Sequence, residues 1–403
     1  MKYRHTPVLF FVLMIGLSLA CISTPATGTG DQPGVATIVA RTMQALTPVP
    51  QGELPGGETP AAPAALLPRS LYFLDKDANG IFQVFRLEPN GKELRQITFE
   101  PTDVQDYDVS PVDASLVYIS NNQMLWVAAD GSGRRMLLDG GPLNYDNMLT
   151  NTVQAPRWSP DGGTIAYGHN GLVFLSFSTG ASSQMLTNQY NSSDGLTILR
   201  ESYTPNRYSP DGSRLLIFIG YYEGGTIAVY VPSTGTLVRP SSSGILCCTE
   251  QWTPDGSAVY VASSSIGMIE AGLWRMDAAT GSITTLLSSN TEGSTYDFAE
   301  APFIGPDGQL YFFFANLGTI PDGHTPLTMV RSAQDGSTGR APLRPDIFPA
   351  VNEVLWAPDA SFAIVIQPVS PDVWTGGQAL LVYADGRPIV NLLSSAQRLR
   401  WGP

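Results

Sequence analysis

The chain has 403 residues, of which 43% are hydrophobic and only 14% charged, and its formal net charge is −13. Its 22 lysines and arginines are scattered along the chain, so no basic stripe is present to hold nucleic acid. Forty glycines and 32 prolines, without sustained helical periodicity, exclude a helical bundle and suit a body made of many short turns.

The N-terminus reads as an address. Lys2, Arg4 and His5 form a positive segment, Val8 to Ala20 an apolar one too short for a comfortable membrane span, and Ser18-Leu19-Ala20-Cys21 a lipoprotein-type processing site with Cys21 as the lipidated residue. Residues 1–21 are therefore expected to be a signal peptide and the folded body to lie outside the cytoplasm, anchored to a bacterial membrane; ordinary secretion is the alternative. Residues 22–68 are rich in Thr, Pro, Ala and Gly and lack aromatics, which predicts a disordered linker or stalk.

From Ser70 onward the pattern becomes that of short strands. Leu71–Leu74, Phe82–Leu87 and Leu94–Ile97 are apolar runs separated by turn residues, with Asn90-Gly91 as a tight turn. A phrase then recurs: Trp158-Ser159-Pro160-Asp161-Gly162, Tyr208-Ser209-Pro210-Asp211-Gly212 and Trp252-Thr253-Pro254-Asp255-Gly256. Weaker copies lie at Val109-Ser110-Pro111, Ile304-Gly305-Pro306-Asp307-Gly308 and Trp356-Ala357-Pro358-Asp359, with a last fragment at Trp401-Gly402-Pro403. The prolines are spaced by 49, 50, 44, 52, 52 and 45 residues. Proline presets the turn, Ser, Thr and Asp bond nearby amides, and Gly closes it. After each phrase come two runs rich in Val, Ile, Tyr and Phe, then a polar turn such as Thr179-Gly180 or Asp335-Gly336, then a poorer strand. The unit is a four-stranded antiparallel meander of about 48 residues, and its repetition predicts a β-propeller over residues 69–403. The first unit lacks its first strand, and Arg398–Trp401 is a first strand without a sequel. Pairing the two closes a ring of seven blades and hides two sheet edges; six blades is the alternative.

These phrases resemble the TolB-like, or periplasmic WD-like, β-propeller repeat family. The carriers are Trp158-Ser159-Pro160-Asp161-Gly162 with Ile165-Ala166-Tyr167, the copies at Tyr208 and Trp252, and Leu94-Arg95-Gln96-Ile97-Thr98. The resemblance implies an envelope protein that binds partners, or a propeller of the kind attached to peptidases. No hydrolase domain is expected after the last unit, and no folded α/β domain before the first.

Strand order places the phrase turns on one face and longer connections on the other, at 141–152, 187–203, 220–225, 290–300, 316–325 and 367–377. Long loops over a rigid scaffold are where ligands bind. The residues entering the inner strands from that face, Asp103, Asp106, Tyr107, Asp108, Glu250, Tyr296, Asp297, Glu300 and Glu353, are the binding candidates, as an acidic and aromatic rim. Asp75, Asp77 and Asn79 half-match a calcium loop, but Arg86 stands at its twelfth position and the segment joins two strands, so no metal or other cofactor is expected. Cys247-Cys248 is either a vicinal disulfide or two buried small side chains. The histidines form no metal pair and no nucleophile elbow occurs, so no catalytic residue is assigned. The expected function is a monomeric, envelope-tethered, non-catalytic propeller that binds a protein, peptide or glycan. The alternatives are a carbohydrate-active hydrolase or lyase using channel carboxylates, and a structural envelope component without a small ligand.

Overall fold

The computed structural model describes residues 65–403 except 146, 194–195, 243–245, 267–269 and 290–294. The signal peptide, Cys21 and nearly all of the linker lie outside the described residues. The rest is all-β, with 28 strands and a single short 3₁₀ turn at Met148–Thr150 among the described residues. The strands form antiparallel sheets, mostly of four, consistent with a β-propeller. One such sheet is β4 (Val104–Val109), β5 (Leu116–Ser120), β6 (Gln123–Val127) and β7 (Arg135–Asp139), paired in sequence order. Its middle strands are covered on both faces, which is why Leu116, Val117, Tyr118 and Ile119 run as consecutive apolar residues without alternation. The outermost strand, by contrast, is largely exposed.

The recurring phrase forms one turn at each site. The Ser159 hydroxyl donates to Asp161 Oδ1 at 2.5 Å, that carboxylate accepts the Gly163 amide, and Gly162 N donates to Ser159 O at 2.9 Å. Ser209 with Asp211 and Thr253 with Asp255 repeat the bond at 2.6 and 2.7 Å. The turn needs a left-handed residue, supplied by Gly162 at φ 68°, Gly212 at 72° and Gly256 at 67°. In two weaker copies alanine takes that conformation, Ala114 at φ 60° and Ala360 at 59°. The aromatic residue opening the phrase ties neighbouring sheets together. Trp252 Nε1 donates to Arg207 O at 3.2 Å, Trp356 Nε1 to Ala301 O at 2.8 Å, and Trp401 Nε1 to Trp356 O at 2.8 Å.

The C-terminal strand, β28 (Val390–Trp401), belongs to two sheet halves. Its first part pairs with β27 (Gly377–Tyr383), and its last part pairs with β1 (Leu71–Lys76), with Trp401 opposite Leu71 and Arg400 opposite Tyr72. A bulge at Arg398, φ 55°, interrupts the pairing with β1 between Gln397, opposite Leu74, and Arg400, and Gly402 N donates to Ser70 O at 2.9 Å. Leu399 is buried with Leu71, Phe73 and Ile364. The core as a whole lies in layers between adjacent sheets, as in the cluster of Val117, Trp158, Ile165 and Tyr167.

Two connections differ from expectation. Residues 187–203 are largely a hairpin, β12 (Gln189–Ser193) with β13 (Leu196–Tyr208), rather than a loop. Tyr190, Ile198, Leu199 and Tyr203 are strand formers, and β13 simply continues an inner strand outward. Tyr296, Asp297 and Glu300 likewise lie within β21 (Tyr296–Ile304). Asp77 shapes a hairpin: its Oδ1 accepts the amides of Asn79 and Ile81 at 2.8 and 3.0 Å.

Candidate functional site: the channel between the sheets

Seven strand ends carry the phrase, and residues preceding it from all seven line four adjoining cavities of about 370, 540, 580 and 820 Å³. Arg400 borders all four. They form sectors of one channel. Because side chains alternate along a strand, a residue immediately before the inward-packed residue that opens the phrase faces the opposite way. That position holds Asp108, Arg157, Arg207, Gln251, Phe303, Leu355 and Arg400. One side of this layer is cationic, and the other, with Phe303 and Leu355, is apolar.

The carboxylates expected at the rim are mostly engaged. Asp106 sits between Arg157 at 3.0 Å and Arg398 at 3.5 Å. Burial pushes its pKa up, but Arg157, Arg398 and Arg400 outweigh that and hold it below the usual carboxylate range. Asp108 accepts the Trp158 amide at 2.7 Å and lies 3.8 Å from Arg400; burial prevails and its pKa is raised. Glu353 accepts two amides of β28, Arg398 N at 2.7 Å and Leu399 N at 2.6 Å, so it clips one inner strand to the next; burial raises its pKa too. Glu300 accepts the Ser264 hydroxyl at 2.6 Å and is also raised by burial. Glu250 accepts from Asn206 Nδ2 at 3.1 Å, and burial pushes it up to about 7.

The remaining candidates stand elsewhere. Tyr107 is not a rim residue: it is fully buried against Tyr72 and Leu74, and its hydroxyl donates to Arg398 O at 2.6 Å. The alternation that sends Asp106 and Asp108 to the channel sends Tyr107 to the core. Asp103 borders the 580 Å³ cavity and accepts the Phe82 amide at 2.8 Å. Asp297 accepts from Asn316 Nδ2 at 2.7 Å, and neither it nor Tyr296 lines the four cavities. Cys247 and Cys248 have their sulfurs 2.05 Å apart across a cis peptide bond, and Cys248 borders the 820 Å³ cavity. Among the described residues no group of three His, Cys, Asp or Glu could hold a metal ion, and no helix is long and apolar enough to cross a membrane.

Sequence reasoning missed the arginines. It also missed Trp374, in the connection between β26 (Phe362–Gln367) and β27. Trp374 is 53% exposed, stacks on His324 with ring centroids 3.9 Å apart, and borders the 580 Å³ cavity beside Arg398. Its loop is pinned on both sides, since Asn352 Nδ2 donates to Val373 O at 3.1 Å and Gly376 O at 2.7 Å. Phe99, Tyr145, Tyr222, Ile320 and Val369 are further exposed apolar side chains in connections of that same face.

No protein-family model matches the chain, and no curated protein matches it. Solved structures do. TolB from Acinetobacter baumannii is 16% identical over 82% of this chain and 81% of its own, with a TM-score of 0.41, and putative TolB from Agrobacterium tumefaciens is 14% identical over 83% and 99%, with 0.41. A puromycin-hydrolysing peptidase of Mycobacterium tuberculosis is 13% identical over 82% of this chain and 52% of its own, with 0.53. The present chain thus spans about half of that peptidase. The likeness to that peptidase is one of fold alone.

Proposed function

We propose that the chain is a seven-bladed β-propeller, closed by Arg398–Trp401, that works outside the cytoplasm and binds a protein, peptide or glycan without transforming it. The partner enters from the face of the longer connections. Residues 1–21 direct export, Cys21 carries the lipid, and residues 22–65 form the stalk, which is shorter than the expected 22–68 because Leu67 is already buried in the core with Leu71 and Phe73. The observation that carries this reading is the channel mouth: an exposed Trp374 held rigid by His324 and Asn352 beside a polar cavity with Arg398. An exposed aromatic fixed in place loses little entropy when a partner covers it. Asp106, Asp108, Glu250 and Glu353 then set the charge of the channel behind it, while Asp103 orders the entrance; Glu300, bonded to Ser264, lines none of its four cavities.

The test is partner capture from solubilised envelopes by the wild type and by a Trp374→Ala, Tyr145→Ala double variant. Capture lost in the variant supports the assignment, and identical capture refutes it. Labelled palmitate incorporated by the wild type and absent from Cys21→Ala tests the anchor; an unlabelled wild type ends that claim. A carbohydrate-active hydrolase or lyase is a second reading, supported by one feature: Glu250, held near 7, and Asp106, held ionised, border the same 540 Å³ cavity. Bond cleavage in an acidic polysaccharide, lost in Glu250→Gln, is its test. No captured partner and no cleavage would leave the structural envelope role.

A further inference from the structure

Among the channel arginines, Arg207 stands apart. Arg157 and Arg398 pair with Asp106, and Arg400 lies against Asp108. The Arg207 guanidinium donates to Gln251 Oε1 at 2.7 Å and, among the described residues, pairs with no carboxylate. Its side chain is open to the channel and borders three of the four cavities. In the largest of them Phe303, Val354 and Leu355 line the same 820 Å³ space.

We propose that this cavity is a subsite for an amphipathic monocarboxylate, whose carboxylate bonds Arg207 and whose apolar body lies against Phe303 and Leu355. The inference rests on the channel being the partner site and names what the partner brings into it. A guanidinium fork with free donors matches a planar carboxylate in two parallel bonds. A cation among cations gains most from an anion, and Arg400 and Arg157 both stand near enough to Arg207 to disfavour its charge. A single negative charge suits the site better than two, because Asp106, Asp108 and Glu353 share the channel with Arg157, Arg398 and Arg400. Glu250 faces Arg207 from the adjoining strand, and as it ionises it competes for the guanidinium.

The experiment is calorimetric titration of the protein with N-acetyl-leucine and N-acetyl-leucinamide, and in a second arm with octanoate and octanamide. The wild type should bind an acid about tenfold or more tightly than its amide, the weight of one charge-assisted pair. A preference in the first arm alone assigns a peptide C-terminus, and in the second alone a fatty acid. The preference should vanish in Arg207→Met, persist in Arg239→Gln at the outer edge, and weaken between about pH 6 and about pH 8 in the wild type but not in Glu250→Gln. Equal affinity for acid and amide, or no binding of any probe, overturns the proposal whatever the fate of the variants. Since no partner is used, such a failure leaves capture at Trp374 to stand or fall separately.

Discussion

Replacing Leu399 by alanine tests whether the last strand is part of the folded body or an ornament on it. Leu399 is 1% exposed and packs with Leu71, Phe73, Ala357 and Phe362, residues that are far away in sequence. Its amide bond to Glu353 involves only backbone on the leucine side and survives the substitution. The cost is therefore that of a buried cavity, ~2–5 kcal/mol for Leu→Ala in a core that cannot collapse. With an unfolding entropy of ~2.1 cal/mol/K per residue over roughly 340 residues, ~3.5 kcal/mol lowers the melting temperature by ~5 °C. Ile347→Ala is the control: that side chain is 67% exposed, and its loss should move stability by no more than ~0.5 kcal/mol. Guanidinium unfolding followed by tryptophan fluorescence, with melting by circular dichroism, measures both. If Leu399→Ala shifts the midpoint no further than Ile347→Ala, the C-terminal strand carries no stability and the closure argument fails.

Ala114→Gly should stabilise by ~0.5 kcal/mol in urea unfolding, because relief of the left-handed strain exceeds the added freedom of the unfolded chain. Glu100 is 6% exposed and accepts from Arg134 and from the Tyr118 hydroxyl. Glu100→Ala strands that buried hydroxyl and should cost ~2–3 kcal/mol, whereas Tyr118→Phe should cost ~1 kcal/mol, both read from urea midpoints. Glu250 has a folded pKa of about 7 against an ordinary value of 4.5. The folded form keeps its proton after the unfolded form has released it, so the stability tied to Glu250 is full below the unfolded value and is lost as pH rises to about 7. The Glu250→Gln variant should therefore gain on the wild type in midpoint between about pH 5 and about pH 8, and a gap independent of pH would refute the assignment.

The phrase at Trp158, Tyr208 and Trp252 made the architecture readable because every residue in it has a local task that no distant contact can reassign. Proline sets φ, Ser or Thr and Asp bond each other and nearby amides, and Gly takes the left-handed position. The same locality made the C-terminal fragment interpretable, since half a phrase implies the strand that precedes it. The hairpin at 189–208 was not readable as such. Polar residues such as Gln189, Asn191 and Ser192 resemble loop chemistry, and only pairing across the turn makes them strand.

The channel was misjudged for a different reason, and that reason points to how it works. Aspartates are abundant in this chain because turns consume them, so an acidic residue near a strand start carried little information about a ligand. Asp103 and Glu353 illustrate this: both spend their oxygens on backbone amides. The informative signal was the residue one place before the phrase. Arg157-Trp158, Arg207-Tyr208 and Arg400-Trp401 put a guanidinium before a core-packed aromatic three times, and strand alternation alone sends all three to the same space. Clustering three guanidinium groups in a net acidic protein incurs a repulsion that folding does not require, since Gln251, Phe303 and Leu355 fill the same layer elsewhere without charge. Asp106 and Asp108 offset that repulsion for Arg157 and Arg400, with Arg398 joining the first pair. Arg207 is left with an amide and open space, and the channel is accordingly most complete when an anion from outside occupies it.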